Sequence, residues 1–197
     1  MTLSLIVKLL FNLDIEGMEN VPDNPADIVI TPSHTSYWDP PLLGVAFGLS
    51  REIHFIAREG LLKNPLFSLP VRTFSTTINR ENFGKKDLIK MMRAFQGEGL
   101  ICVFPEGTTT GNVKPKSGTV RMAEKSNRKF LPIKIEYERS PIEFPFLFAP
   151  ARMAIGKPVS LEELKRSAAE SLGKEASDIE SDYRALSFRL MDIINGL

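Results

Sequence analysis

Short apolar runs alternate with helix-length periodic segments along most of this chain, and that alternation limits the fold more than any other feature. Asp27–Thr31 (DIVIT), Ile53–Ala57 (IHFIA), Thr73–Ile78 (TFSTTI), Leu100–Phe104 (LICVF), Phe130–Tyr137 (FLPIKIEY) and Ala151–Gly156 (ARMAIG) read as strands. Gly84–Gln96 and Ser117–Ser126 read as helices. Two more fill the tail, the first capped by Ser160 with Glu162 and Glu163 in its opening turn. The second spans Ile179–Asn195, with an apolar stripe at Ile179, Tyr183, Leu186, Leu190 and Ile193. Strands alternating with helices predict an α/β fold: a mostly parallel or mixed central sheet covered by helices.

The chain has 197 residues, 43% hydrophobic and 25% charged, which suits a globular chain with a sizeable core. We expect one domain over residues 13–197. Residues 1–12 carry the apolar run Leu3–Phe11, too short to span a bilayer. That run reads as an interfacial helix, as the remnant of a longer N-terminal membrane segment, or as a first helix packed on the core. The net charge of +1 gives no global field for nucleic acid. The charge is uneven, however: Arg51–Arg93 holds nine basic and four acidic side chains. A basic middle suits a phosphorylated ligand or an anionic lipid surface; solvated helix faces are the plainer reading. The lone cysteine, Cys102, excludes an internal disulfide and reads as a core residue in a reducing compartment.

In folds of this class, ligands gather where strands end and helices begin. DIVIT runs into PSHTSYWDP, and LICVF runs into PEGTTTG, so two polar loops should open on the same edge of the sheet. The first loop holds His34 and Asp39. On an ideal helix, residues five apart are rotated by roughly 140° and would not share a face. A turn at His34 followed by a helix starting near Tyr37 would let Asp39 reach back to one ring nitrogen. The other nitrogen would then be left to take a proton. Three other readings stay open: Asp39 as a plain helix cap, Ser33 or Ser36 as the nucleophile of a triad, and a metal site. The G-x-S-x-G elbow is absent, and His54 is the only other histidine. The second loop, Phe104–Gly111, offers a glycine turn, three threonines and backbone N–H groups able to cradle an anion. Glu106 is odd within such a cradle unless it also binds a hydroxyl or a basic side chain.

Here the sequence resembles the glycerolipid acyltransferases, the family that contains lysophosphatidic acid acyltransferase. The family's histidine, four residues and aspartate match Ser33-His34-Thr35-Ser36-Tyr37-Trp38-Asp39-Pro40. Its second block is similar to FIAREGLLKNPLFS with TTINRE, which places Arg58 and Arg80. Its F-P-E-G-T block matches Phe104-Pro105-Glu106-Gly107-Thr108, with Thr109 where arginine is usual. A lysine-x-glycine step falls on Lys116 and Gly118, and a proline within a strand on Pro132. The order and separations agree from about Ile15 to Ile135.

The resemblance implies a glycerol-3-phosphate acyltransferase-like fold. It implies transfer of an acyl group from a thioester, acyl-CoA or acyl carrier protein, to the sn-2 hydroxyl of 1-acylglycerol-3-phosphate, giving phosphatidic acid. His34 would be the general base and Asp39 its orienter. Arg80 would hold the acceptor phosphate, with Arg58, Lys116, Gly107 and Thr108 assisting, and Glu106 would position a glycerol hydroxyl. No metal and no cofactor beyond the thioester are implied. The implied location is the cytoplasmic face of the cell membrane, peripheral or monotopic. Leu42–Phe47, the LLKNPLFSLPV stretch and Phe144–Pro150 are candidates for lining an acyl channel. Alternatives from the same residues are a different lysophospholipid acceptor and a non-catalytic lipid-binding protein.

Overall fold

Strand β2 (Ile28–Pro32) is buried along its whole length, and the sheet is built outward from it. Its side chains alternate: Ile28 and Ile30 enter one apolar cluster, Val29 the other. A strand covered on both faces belongs inside a parallel sheet with helices above and below. The computed structural model of the chain describes residues 11–48, 52–107, 114–139, 150–179 and 181–197. Among these, seven strands form one sheet in the order β1-β7-β6-β2-β5-β3-β4. The others are β1 (Asp14–Glu16), β3 (Ile53–Arg58), β4 (Ser75–Ile78), β5 (Leu100–Cys102), β6 (Lys129–Tyr137) and β7 (Ala151–Ile155). Only β6 and β7 pair antiparallel; every other neighbouring pair is parallel. The sheet is therefore mixed and mostly parallel.

The helices are α1 (Asp39–Phe47), α2 (Pro65–Phe74), α3 (Lys85–Phe95), α4 (Gly118–Ser126), α5 (Leu161–Leu172), the short α6 (Ala176–Ile179) and α7 (Tyr183–Asn195). On one face α1 buries Leu42, Leu43, Val45 and Phe47 against Ile30, Leu131, Ile133 and Met153. On the other, α3, α4, α5 and α7 close over Val29, Ile101, Val103 and Phe130. Local chemistry sets the helix starts. Asp39 is followed by two prolines that α1 tolerates in its first turn. Ser160 and Glu163 form a capping box at α5, with Ser160 N donating to Glu163 Oε2 at 2.7 Å.

Two expectations shift, and one strand is added. The segment leading into TFSTTI is helical, so β4 begins only at Ser75. The stripe from Ile179 is broken: Ile179 ends α6, and Asp182 caps α7 by accepting from Ala185 N at 3.0 Å. The short parallel strand β1 has no apolar run to announce it. Most of residues 1–12 and all of Phe144–Phe148 lie outside the described residues. No helix among the described residues is long and apolar enough to cross a membrane.

Pro132 sits in the interior strand β6 without breaking it. Its carbonyl accepts from Gly156 N at 2.9 Å, just beyond the last residue of β7. Its missing N–H thus falls where the antiparallel ladder is ending. The opposite edge of the sheet is tied by Arg128, which is 4% exposed. Its guanidinium donates to Phe95 O and Ile28 O, both at 2.9 Å, to Gly99 O at 3.1 Å, and to Gly97 O. One side chain thereby joins the end of α3, the turn before β5 and the start of β2. Arg128→Met should leave these buried carbonyls unsatisfied and cost about 3 kcal/mol or more. The check is a thermal melt: a fall of roughly 6–12 °C is expected for a chain of this size.

Candidate active site

Because β2 and β5 are parallel neighbours, the chain leaves both strands on the same edge of the sheet. Ser33 closes the β2 ladder: its hydroxyl accepts from Ile135 N at 2.8 Å and donates to Ile135 O at 3.3 Å. The chain then turns and enters α1 at Asp39, which is fully buried. Asp39 Oδ2 accepts from Thr35 N and Ser36 N, both at 2.9 Å, and lies 2.8 Å from His34 Nδ1. Asp39 Oδ1 accepts from the Tyr137 hydroxyl at 2.6 Å. Four donors converge on one buried carboxylate, so its position is heavily determined. That contact assigns the Nδ1–H tautomer to the ring and turns Nε2 into an acceptor. Among the described residues Nε2 has no hydrogen-bond partner. The ring stacks on Phe104 with centroids 3.9 Å apart.

The serine rivals are occupied. Ser33 is held by the strand backbone, and Ser36 Oγ accepts from Trp38 N at 3.1 Å. His54 lies on β3, its Nε2 2.7 Å from Thr76 Oγ1, away from this turn. Trp38 packs on the buried Phe11 with ring centroids 5.1 Å apart, so it wedges the turn against the core.

The second loop meets the first through Glu106. Its Oε1 accepts from His34 N at 3.3 Å. Burial pushes the Glu106 carboxyl above its usual range, and the charge of Asp39 adds to the rise. Gly107 follows with φ +75°, a left-handed conformation that favours glycine. A Cβ at 107 would lie 3.0 Å from Arg80 Nη1, so the guanidinium fills the space a side chain would take. Arg80 Nη1 donates to Gly107 O, and Nη2 to Ile56 O at 3.5 Å. Lys116 N donates to Pro105 O at 2.9 Å, which returns the exposed Lys116 to the start of the loop.

Arg80 leaves the end of β4 in a turn braced from α3. Asp87 accepts from Asn79 N at 3.1 Å and Gly84 N at 3.2 Å, bonds that hold its carboxyl below the usual range. Among the described residues Arg80 has carbonyl partners but no carboxylate. Burial, then repulsion from Arg58, lowers its pKa. A desolvated guanidinium with no counter-ion is suited to an incoming anion. Arg58 sits at the rim, where it pairs with Glu81 at 3.2 Å, both side chains being exposed.

His34, Asp39, Arg80, Glu106, Gly107 and Lys116 thus share one edge of the sheet, with Arg58 beside them. Thr108 and Thr109 lie outside the described residues. Leu42, Leu43, Val45 and Phe47 are packed core rather than an open channel lining. Tyr137 was not singled out in the sequence, because nothing local to FLPIKIEY indicates that its hydroxyl crosses from β6 to Asp39.

A sequence model of the family described as Acyltransferase matches residues 12–136. The 1-acyl-sn-glycerol-3-phosphate acyltransferase of Bacillus subtilis (strain 168) is 26% identical over 159 residues, 80% of this chain and 78% of that protein. The crystal structure of the 1-acyl-sn-glycerophosphate (LPA) acyltransferase PlsC from Thermotoga maritima superposes with a TM-score of 0.64 at 23% identity. That superposition covers 91% of this chain and 79% of the other. The match to the family model spans the histidine turn, the arginine strand and the glutamate–glycine loop in one continuous stretch, and the chain belongs to the acyltransferase family.

Proposed function

We propose that this chain transfers a fatty acyl group from an acyl thioester to the sn-2 hydroxyl of 1-acylglycerol-3-phosphate, giving phosphatidic acid. The observation that carries this reading is the junction of the two loops. The His34–Asp39 pair and the Arg80–Gly107 cradle are joined through Glu106, which holds the His34 amide at 3.3 Å. The names of the relatives point the same way.

An alcohol is a weak nucleophile at neutral pH, and a positioned base removes its proton as it attacks. His34 Nε2 takes the proton of the acceptor hydroxyl while Asp39 holds the other side of the ring. The alkoxide oxygen bonds to the thioester carbonyl carbon, and the C–S bond breaks as the thiol leaves. The proton held by the imidazole passes to the leaving thiolate. A thioester is already activated, so the reaction needs neither a covalent acyl-enzyme nor a further cofactor. Arg80 binds the acceptor phosphate, with Lys116 and the Gly107 backbone beside it and Arg58 at the rim. Glu106 positions the glycerol. Thr108 is assigned to the same cradle. Acyl-CoA and acyl carrier protein both satisfy this scheme as donor, and a membrane-bound setting follows from a lipid acceptor.

Product analysis with 1-acylglycerol-3-phosphate and a panel of thioesters tests the reading. Phosphatidic acid should form, and His34→Ala should cut its rate by about 10²–10⁴-fold while lysolipid binding persists. Equal rates in the variant would remove the mechanism. Tyr137→Phe takes the only hydrogen bond from Asp39 Oδ1 among the described residues. We expect kcat to fall by about tenfold, with little change in KM for the thioester. A changed KM with unchanged kcat would contradict this role.

Glu106 gives a pH signature. Its folded pKa is raised above the unfolded value of about 4.3, so the folded state holds the proton more tightly. Stability from this group is fully present below the unfolded pKa and is lost as pH rises through the folded one. Glu106→Gln removes that loss and keeps an oxygen for His34 N. Its melting temperature should exceed the wild type's at pH ~7 and match it at pH ~4, while acyl transfer falls.

A further inference from the structure

Helix α2 is unlike every other long helix here. Its ten residues include Phe67, Leu69, Val71 and Phe74, yet none of its described side chains is buried. Leu69 is 73% exposed and Phe74 50%. Phe67, Val71 and Phe74 follow the helical repeat along one side, while Leu69 lies on the other. Leu69 shares its side with Ser68, Arg72 and Thr73, so an apolar side chain stands uncovered among the polar groups of an amphipathic helix. On its Phe67 side the helix also reaches the catalytic turn. Tyr37, 58% exposed and three residues past His34, stacks on Phe67 with ring centroids 5.2 Å apart. Exposed large apolar side chains gathered beside a site are a mark of docking.

The charges around it select the occupant. From Gly60 to Arg80 the chain carries Lys63, Arg72 and Arg80 and no acidic residue. Arg80 turns inward to the cradle, whereas Lys63 and Arg72 are exposed. Within this stretch, which Glu59 and Glu81 bound, apolar side chains flanked by cations complement an anionic lipid surface: the rings and Leu69 enter the acyl boundary and the cations meet the head groups.

We infer that α2, together with Tyr37, is the face by which this protein docks on an anionic bilayer. The inference deepens the acyl-transfer reading and rests on it for purpose: a lipid acceptor leaving the bilayer here would enter beside His34.

Binding is read without catalysis, so it stays interpretable even where acyl transfer fails. The probes are vesicles of phosphatidylcholine alone and of phosphatidylcholine mixed with phosphatidylglycerol, assayed by flotation. Wild type should float with the anionic vesicles and release as salt rises. Leu69→Asp and Phe74→Asp should each weaken binding by about tenfold or more at unchanged melting temperature. Arg72→Glu should weaken it on anionic vesicles only. Leu172→Asp, at an exposed leucine on α5, should leave binding intact. As a second readout, Leu69→Cys carries an environment-sensitive dye, the native Cys102 being buried. Its emission should shift to the blue on anionic vesicles. The inference is overturned by wild type that ignores vesicles, by α2 variants that bind at full strength, or by Leu172→Asp losing as much. It is also overturned if the dye stays unshifted, or if wild type is a dimer that Leu69→Asp splits while vesicle binding is unchanged.

Discussion

The site depends on a single buried carboxylate. Asp39 has no contact with solvent, and its cost of burial is met by two backbone amides, an imidazole and a phenol. Removing an anion from water without such partners is prohibitive, so the turn, the helix start and the far end of β6 must all be in place together. The five-residue spacing from His34 follows from this. Thr35 and Ser36 supply amides only because the chain curls around the oxygen that also meets the ring. The motif is therefore the sequence trace of a nest closed by its own acid.

The half proposed to bind the anion is arranged in the opposite way. Asp39 is satisfied from every side, but among the described residues Arg80 is left with carbonyls alone and is pressed by a second cation. A completed negative centre beside an incomplete positive one divides the labour: one half fixes a ring, the other is left open to an anion. Glu106 spans the two, and its raised pKa records the tension of a carboxyl placed where burial and a neighbouring anion both oppose its charge.

Much of this was legible in the residues. The alternation of apolar runs and periodic segments is a physical consequence of burying both faces of a sheet, so six strands and the larger helices stand out. Two loops following two parallel strands must open together, which is why His34 and Glu106 meet. What stayed hidden depends on tertiary contact. Helix α2 carries Pro70 inside it and buries no described side chain, so its periodicity had no core to report. β1 is three residues long and partly exposed. Arg128 looks like any surface arginine until four carbonyls from three segments surround it. Tyr137 is named only by the register of β6, a long-range property no local window contains.

That register reaches further than the hydroxyl it places. Ile133 pairs with Pro32 in the last rung shared with β2, and Ile135 grips the Ser33 hydroxyl, so Tyr137 stands two residues beyond that grip. Side chains alternate along a strand, and a one-residue slip would send the phenol to the opposite layer. Alignment of the imidazole is thus a property of the assembled centre of the molecule rather than of its own loop. Such an enzyme has no half-working, loosened form: turnover should vanish in step with the sheet itself.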